Sequence, residues 1–134
     1  MTCSPAAYDT IATHFQDTGR TPKDYDLIVT GDLGELGSSI LEDWFKKDGM
    51  DLKNHADCGL LLFDRQKQDV HCGASGCGCA AGVFAGYLLQ GLQAGRWKRM
   101  LFCPTGALLS PTSAMQKESI PSICHAVAIQ AQGV

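Results

Sequence analysis

The chain has 134 residues, 45% of them hydrophobic and 19% charged, and a formal net charge of -3. That length suits one domain (1–134) with a real core and is short for two, and the composition is far from that of a disordered segment. There is no basic footprint for nucleic acid, and no apolar run reaches the roughly 20 residues that span a bilayer. The Met1 end shows no basic segment leading into an apolar stretch, so no secretory signal is expected.

Ser4 followed by Pro5 reads as a helix start, with a capping hydroxyl and then the residue whose missing N–H costs nothing in the first turn. Ala7, Tyr8, Ile11, Ala12 and Phe15 recur at helical spacing, which predicts a helix over 5–17, closed by Gly19. Residues 21–24 form a turn. The apolar run Leu27-Ile28-Val29 suits a strand over 25–30 covered on both faces. Gly31 to Gly34 break it, and Leu36, Ile40, Leu41, Trp44 and Phe45 mark a second helix over 36–47. Another short apolar run predicts a strand over 59–63. Residues 72–79 are a glycine-rich turn.

The helix expected over 80–94 is almost free of charge, with Gln90 and Gln93 as its polar residues. A surface helix needs a polar face, so burial on nearly all sides is expected. Gly78, Gly82 and Gly86 recur every four residues and leave a smooth stripe for another backbone to approach. A strand over 99–103, a loop over 105–121 and a last strand over 123–130 complete the chain. Strands alternating with helices predict an α/β fold with a mixed, mainly parallel sheet and helices on both faces. The last two strands lack an intervening helix, so the final one is expected as an antiparallel edge.

Seven cysteines are many for this length. Their odd number, the absence of an export pattern and their apolar or glycine-rich surroundings favour reduced, buried thiols in a cytoplasmic compartment.

Five stretches taken together carry a resemblance. They are Val29-Thr30-Gly31-Asp32-Leu33-Gly34, Asp57-Cys58-Gly59, the turn from Gly73 to Cys79, the segment from Thr105 to Pro111, and Ile120-Pro121 leading into His125-Ala126-Val127. In order and at compatible spacing they resemble the C-terminal portion of the stage V sporulation protein AD family, which is similar to thiolases in fold. Ala74 and Ser122 stand where that pattern usually has glycine, and Ala80 where it has serine. The resemblance implies a thiolase-like C-terminal half, with the apolar central helix buried against its counterpart from a second, N-terminal half. It also implies that the first, central strand of this half is missing, so that Met1 is an internal methionine.

Thiolase-type acyl transfer needs a low-pKa cysteine, a histidine base and an oxyanion hole. The resemblance assigns the nucleophile to the other half and puts Gly78-Cys79-Ala80 where the base's Gly-His-Pro turn would be. No catalytic residue and no enzymatic activity are therefore expected of this chain; the alternative is half of an acyl-transfer enzyme that needs the other half. The implied function is non-enzymatic: binding dipicolinic acid and helping to load it into the forespore, beside the other SpoVA membrane proteins, from a position peripheral to the spore membrane. Other expected partners are the missing half or a second copy of the chain.

Candidate ligand contacts are Gly76, Cys77, Gly78 and Cys79 at the start of the apolar helix, with Thr105, Ser110 and His125 as added side chains. Against this, Cys77 and Cys79 read as small residues filling a tight corner, and His125 as a structural histidine. Asp32 follows a strand's carboxyl end, where open α/β sheets place ligands, or caps the next helix. His71, Cys72, Cys77 and Cys79 lack the paired spacing of a zinc site, so no metal and no cofactor are expected. His14 and His55 stand in surface-type contexts.

Overall fold

The computed structural model describes residues 3–131. Helix α1 (Cys3–Thr18) buries Ser4, Ala7, Ile11 and Phe15, the three-to-four-residue spacing of one apolar stripe. Gly19 ends it in the left-handed region at φ 66°. Strand β1 (Leu27–Thr30) is followed by helix α2 (Gly34–Lys47), which begins two residues before the expected start and buries Gly37, Ser38, Leu41 and Phe45.

Strand β2 (His55–Asp57) leads directly into a short helix, α3 (Cys58–Leu61). The strand expected over 59–63 is therefore a correction: the extended stretch begins four places earlier, at His55, and the apolar run from Cys58 to Leu61 is helical. The cause is local. The Asp57 side chain accepts a hydrogen bond from Gly59 N–H and caps a helix at that point. A short apolar run does not distinguish strand from helix by periodicity alone.

The apolar helix, α4, occupies 79–93 in three consecutive turns of backbone: Cys79–Val83, a π-helical Phe84–Leu88, and Leu89–Gln93. Its buried residues Cys79, Val83, Leu88 and Leu92 are spaced four, five and four apart, and the extra residue falls in the π segment. Strand β3 (Arg99–Cys103) then enters the sheet. The expected loop over 105–121 contains a short strand β4 (Thr105–Ala107) and a five-residue helix α5 (Pro111–Met115) capped by Ser110. The expected last strand is two: β5 (Ser122–Cys124), paired with β4, and β6 (Val127–Gln130). Pro104 has no N–H to give and separates β3 from β4, while its carbonyl accepts from His125 N–H at 3.2 Å at the matching break.

The main sheet has the order β2-β1-β3-β6. β1 runs parallel to both β2 and β3, and β6 closes the edge antiparallel to β3, as the sequence pattern led one to expect. Within the described residues β1 takes the middle of the sheet and is bonded on both sides, with no gap for a further central strand. The two faces are apolar in alternation. Ile28 and Leu101 point into a cluster with Ile11, Phe15, Leu41 and Phe45 from α1 and α2. Val29 and Met100 point the other way, onto Cys79, Val83, Leu88 and Leu92 of α4. Helices thus cover both faces. No helix of the described chain is long and apolar enough to cross a membrane.

The expectation that α4 is buried on nearly all sides is not met within this chain. One stripe is buried, whereas Tyr87 and Leu89 are 44% and 38% exposed. A Cβ added at Gly78, Gly82 or Gly86 would meet nothing within 4 Å, so the glycine stripe faces open space.

Candidate functional site

The carboxyl ends of β1 and β3 lie side by side, since Thr30 pairs with Cys103. Gly31 is what lets the next residues meet: a Cβ there would stand 2.6 Å from both the backbone nitrogen and the hydroxyl of Thr105. Asp32 follows, and its carboxylate ties three segments together. Oδ1 accepts from the Thr105 hydroxyl at 3.1 Å, and Oδ2 accepts from Gly76 N–H at 2.9 Å and from the Ser75 hydroxyl at 3.1 Å. Asp32 thus does not cap α2. That role falls to Asp57, which is 1% exposed and accepts from Leu33 N–H at 2.9 Å and Gly34 N–H at 3.0 Å, besides Gly59 N–H and the Thr30 hydroxyl.

Around the Asp32 tie opens a cleft of about 420 Å³. Its polar wall is Asp32, Ser75, Gly76, Cys77 and Thr105, and its apolar lining includes Leu33, Ala107 and Leu109. Three of the seven expected contacts, Gly76, Cys77 and Thr105, are brought together here. The other four are not on its wall. Gly78 opens α4 just beyond it. Cys79 is buried beneath the floor, its thiol 3.9 Å from the carbonyl of Gly31. Ser110 spends its hydroxyl capping α5, where it accepts from Ser113 N–H. His125 lies at the break between β5 and β6 with its backbone bonded to Pro104.

None of the seven cysteines is joined in a disulfide. Cys58, Cys79, Cys103 and Cys124 are buried, but Cys72 and Cys77 are exposed and Cys3 is half-buried, which corrects the expectation of uniformly buried thiols. Burial raises the Cys79 pKa above that of an ordinary thiol, and the charges of Asp32 and Asp57 push it the same way. Cys58 is pushed up to about 12, by burial first and then by Asp57. The start of α4 therefore does not hold Cys79 as a thiolate, and its role as a small packing residue accounts for the geometry. A neutral thiol is also a poor nucleophile.

Two histidines differ from their expected surface setting. His14 Nε2 lies 2.6 Å from the Tyr25 hydroxyl. The His55 side chain is 1% exposed and stands between Glu42 and Thr30. Asp57 was legible as Asp-x-Gly, but a strand placed four residues late hid the strand–helix junction and its capping role. Ser75, Leu33 and Leu109 lie inside the motifs but are not among the expected contacts; the fold places them on the cleft.

The molecule so described is an α/β domain whose cleft sits at the carboxyl ends of parallel strands, the position at which open α/β sheets take small ligands. Its sequence matches the family described as Stage V sporulation protein AD (SpoVAD) over residues 1–130, and the chain belongs to that family. It is 47% identical over 131 residues to stage V sporulation protein AD of Bacillus subtilis (strain 168), a match covering 97% of this chain and 38% of that protein. The chain thus spans well under half the length of this relative.

Proposed function

We propose that the chain supplies one wall of a dipicolinic acid site in a sporulation protein that binds this ligand without transforming it and helps to load it into the forespore. The observation that carries the reading is the Asp32 tie, which gathers the glycine-rich turn and Thr105 of a sporulation-family chain around one cleft. Dipicolinate is a flat ring with two carboxylates. A site for it needs N–H and O–H donors at one end and an apolar slot for the ring. Leu33, Ala107 and Leu109 offer the slot, and Cys77, next to the Gly76 whose own N–H is given to Asp32, offers backbone near the start of α4. The Asp32 oxygens are already taken up by Ser75, Gly76 and Thr105, which blunts their repulsion of an anion. No cationic side chain lines the cleft among the described residues, so the balancing charge is assigned to the rest of the full-length protein.

The non-enzymatic part of the reading is supported by the cleft's chemistry. Among the described residues no histidine is on its wall, and the buried Cys79 thiol is held neutral. In this reading the protein works beside SpoVA membrane proteins and rests against the spore membrane, while the remainder of the full-length chain covers α4. A thiolase-like half that acquires acyl-transfer activity from its other half is not favoured by any contact seen here.

The test is calorimetry with dipicolinate on a full-length protein carrying this segment. Cys77→Trp fills the cleft and is expected to weaken binding at least about tenfold, a loss of about 1.4 kcal/mol. His125→Ala and Ser110→Ala lie off the wall and should leave the affinity unchanged. A wild-type protein that binds no dipicolinate sinks the reading.

A further inference from the structure

Strands β3 and β4 pair with β6 and β5 in one unbroken register. Arg99 to Phe102 stand opposite Gln130 to Val127, and Thr105 to Ala107 opposite Cys124 to Ser122. His125 N–H bonds to the Pro104 carbonyl at 3.2 Å across the gap, and Leu108 N–H bonds to the Pro121 carbonyl at 3.0 Å as the last rung. No residue is gained or lost along the way, so the two ribbons are a single long hairpin. Its base is fixed in the main sheet, and residues 109–120 are its tip.

The tip bonds to itself. Ser110 caps α5, and Pro111 opens that helix. At the other end Lys117 adopts the left-handed conformation at φ 59°, its N–H bonded back to Ala114 and that of Glu118 to Ser113. That pair of bonds closes a helix C-terminus. Among the described residues, no hydrogen bond joins 109–120 to anything outside 108–121. No residue from Ala107 to Pro121 is buried, and Leu108, Leu109 and Met115 are 64%, 75% and 78% exposed. A segment held together internally and joined to its body by one rung has few contacts to break when it turns. Compact surface loops with closely spaced ends are frequently functional.

Leu109 gives the direction of the turn. It is the first residue past the last rung, and it already lines the Asp32 cleft although most of it is in water. The wall beside it, Thr105 to Ala107, belongs to the same hairpin arm. The empty cleft of about 420 Å³ gives a closing leucine few atoms to touch, so nothing holds the tip inward. A ligand ring in the slot supplies those atoms, and closure then takes Leu109 out of water and keeps water off the ligand. We propose that residues 108–121 form a flap that turns about the Leu108–Pro121 rung and seats Leu109 over the ligand in the Asp32 cleft. This closure presupposes that the cleft takes a ligand, as proposed above.

The test is NMR on a full-length protein carrying this segment, first free and then with saturating dipicolinate. In the free protein, residues 109–120 are expected to show microsecond-to-millisecond exchange as one group, absent from β3 and α1. On binding, residual dipolar couplings should report a changed orientation of α5 relative to β1. In stopped-flow, Leu109→Ala should release dipicolinate about tenfold faster with the association rate unchanged, since affinity differences within one site fall mainly on dissociation. Its melting temperature should match wild type, because the side chain is mostly in water when the flap is open. Ser110→Ala removes the cap of α5 but leaves Leu109 and the rung in place, so release should not change. Absence of collective exchange in the free protein overturns the flap whether or not dipicolinate binds. Binding with α5 unmoved, or with release unaltered in Leu109→Ala, overturns closure and leaves the ligand reading intact. No dipicolinate binding by a protein whose tip does exchange overturns the ligand reading alone, because the hinge motion is then seen without ligand.

Discussion

The two faces of the central sheet are built on different terms. The face under α1 and α2 is closed within the chain: Ala7, Ile11, Ile28, Leu41, Phe45 and Leu101 are all fully buried. The opposite face has α4, with Cys58 of the short α3 beside it; α4 buries Val83, Leu88 and Leu92 but turns Tyr87, Leu89 and three glycines outward. The closed face is a finished core. The open face is half of one, in a chain that spans 38% of its Bacillus subtilis relative. The difference teaches where stability resides and where the rest of a longer protein would fit.

The largest expected effect comes from breaking the closed face. Phe45→Ala deletes a ring that is 0% exposed and packs against Tyr8 and Phe15. It is expected to cost about 3–5 kcal/mol in urea unfolding, a large part of the stability of a typical domain. Leu89→Ala, on the outward face of α4, should change the stability of the isolated chain by less than about 0.5 kcal/mol. Equal losses from the two substitutions would erase the distinction between the faces.

The next effect depends on what surrounds the molecule. Gly82 has open space where its Cβ would be. In the isolated chain Gly82→Leu is expected to be neutral or to stabilise by up to about 1 kcal/mol, through better helix propensity. If a neighbouring backbone fills that space in a full-length protein, the same change should cost about 1–3 kcal/mol there by overpacking. A substitution with the same sign in both settings means that the stripe has no close neighbour. The isolated chain should also self-associate through this face, because contiguous exposed apolar surface favours it. Sedimentation that shows a monodisperse monomer, unchanged by Leu89→Lys, counts against this.

Legibility followed the same division. Helices α1 and α2, strand β1 and the antiparallel edge were readable because their apolar periodicity is satisfied inside this chain. The burial of α4 was read from the same kind of pattern, and one stripe obeys it while the outward residues find no partner here. At the cleft, Gly76, Cys77 and Thr105 were legible as motif residues. The tie that unites them was not, because Asp32 Oδ1 reaches across 73 residues to Thr105, and no local pattern encodes such a bond. Ser110 shares a motif with true wall residues but spends its hydroxyl on a helix cap, and the motif of His125 supplies no wall residue, its backbone being bonded at a strand break. His55 gave no signal, since its burial depends on a strand that an apolar run placed too late.

The smallest effect is a control that belongs to neither face. Asp26, just before β1, accepts from the backbone N–H groups of Lys98 at 2.7 Å and Arg99 at 2.9 Å. These bonds, led by that from Arg99, hold its carboxyl below the usual carboxylate range, and the charges of Lys98 and Arg99 help. A carboxyl depressed in the folded state adds stability at any pH above its unfolded pKa. That stability is lost as pH falls through the lower, folded value. Asp26→Asn should therefore lower stability at neutral pH and flatten the acid limb of the stability curve. Because the group is mostly solvated, the change is expected to be about 0.5 kcal/mol or less. It should be the same in the isolated chain and in a full-length protein, since the joint between β1 and β3 lies inside this segment. A context-dependent effect here would mean that the surroundings in a full-length protein reorganise the sheet itself, and the contrast between a finished and an unfinished face would have to be redrawn.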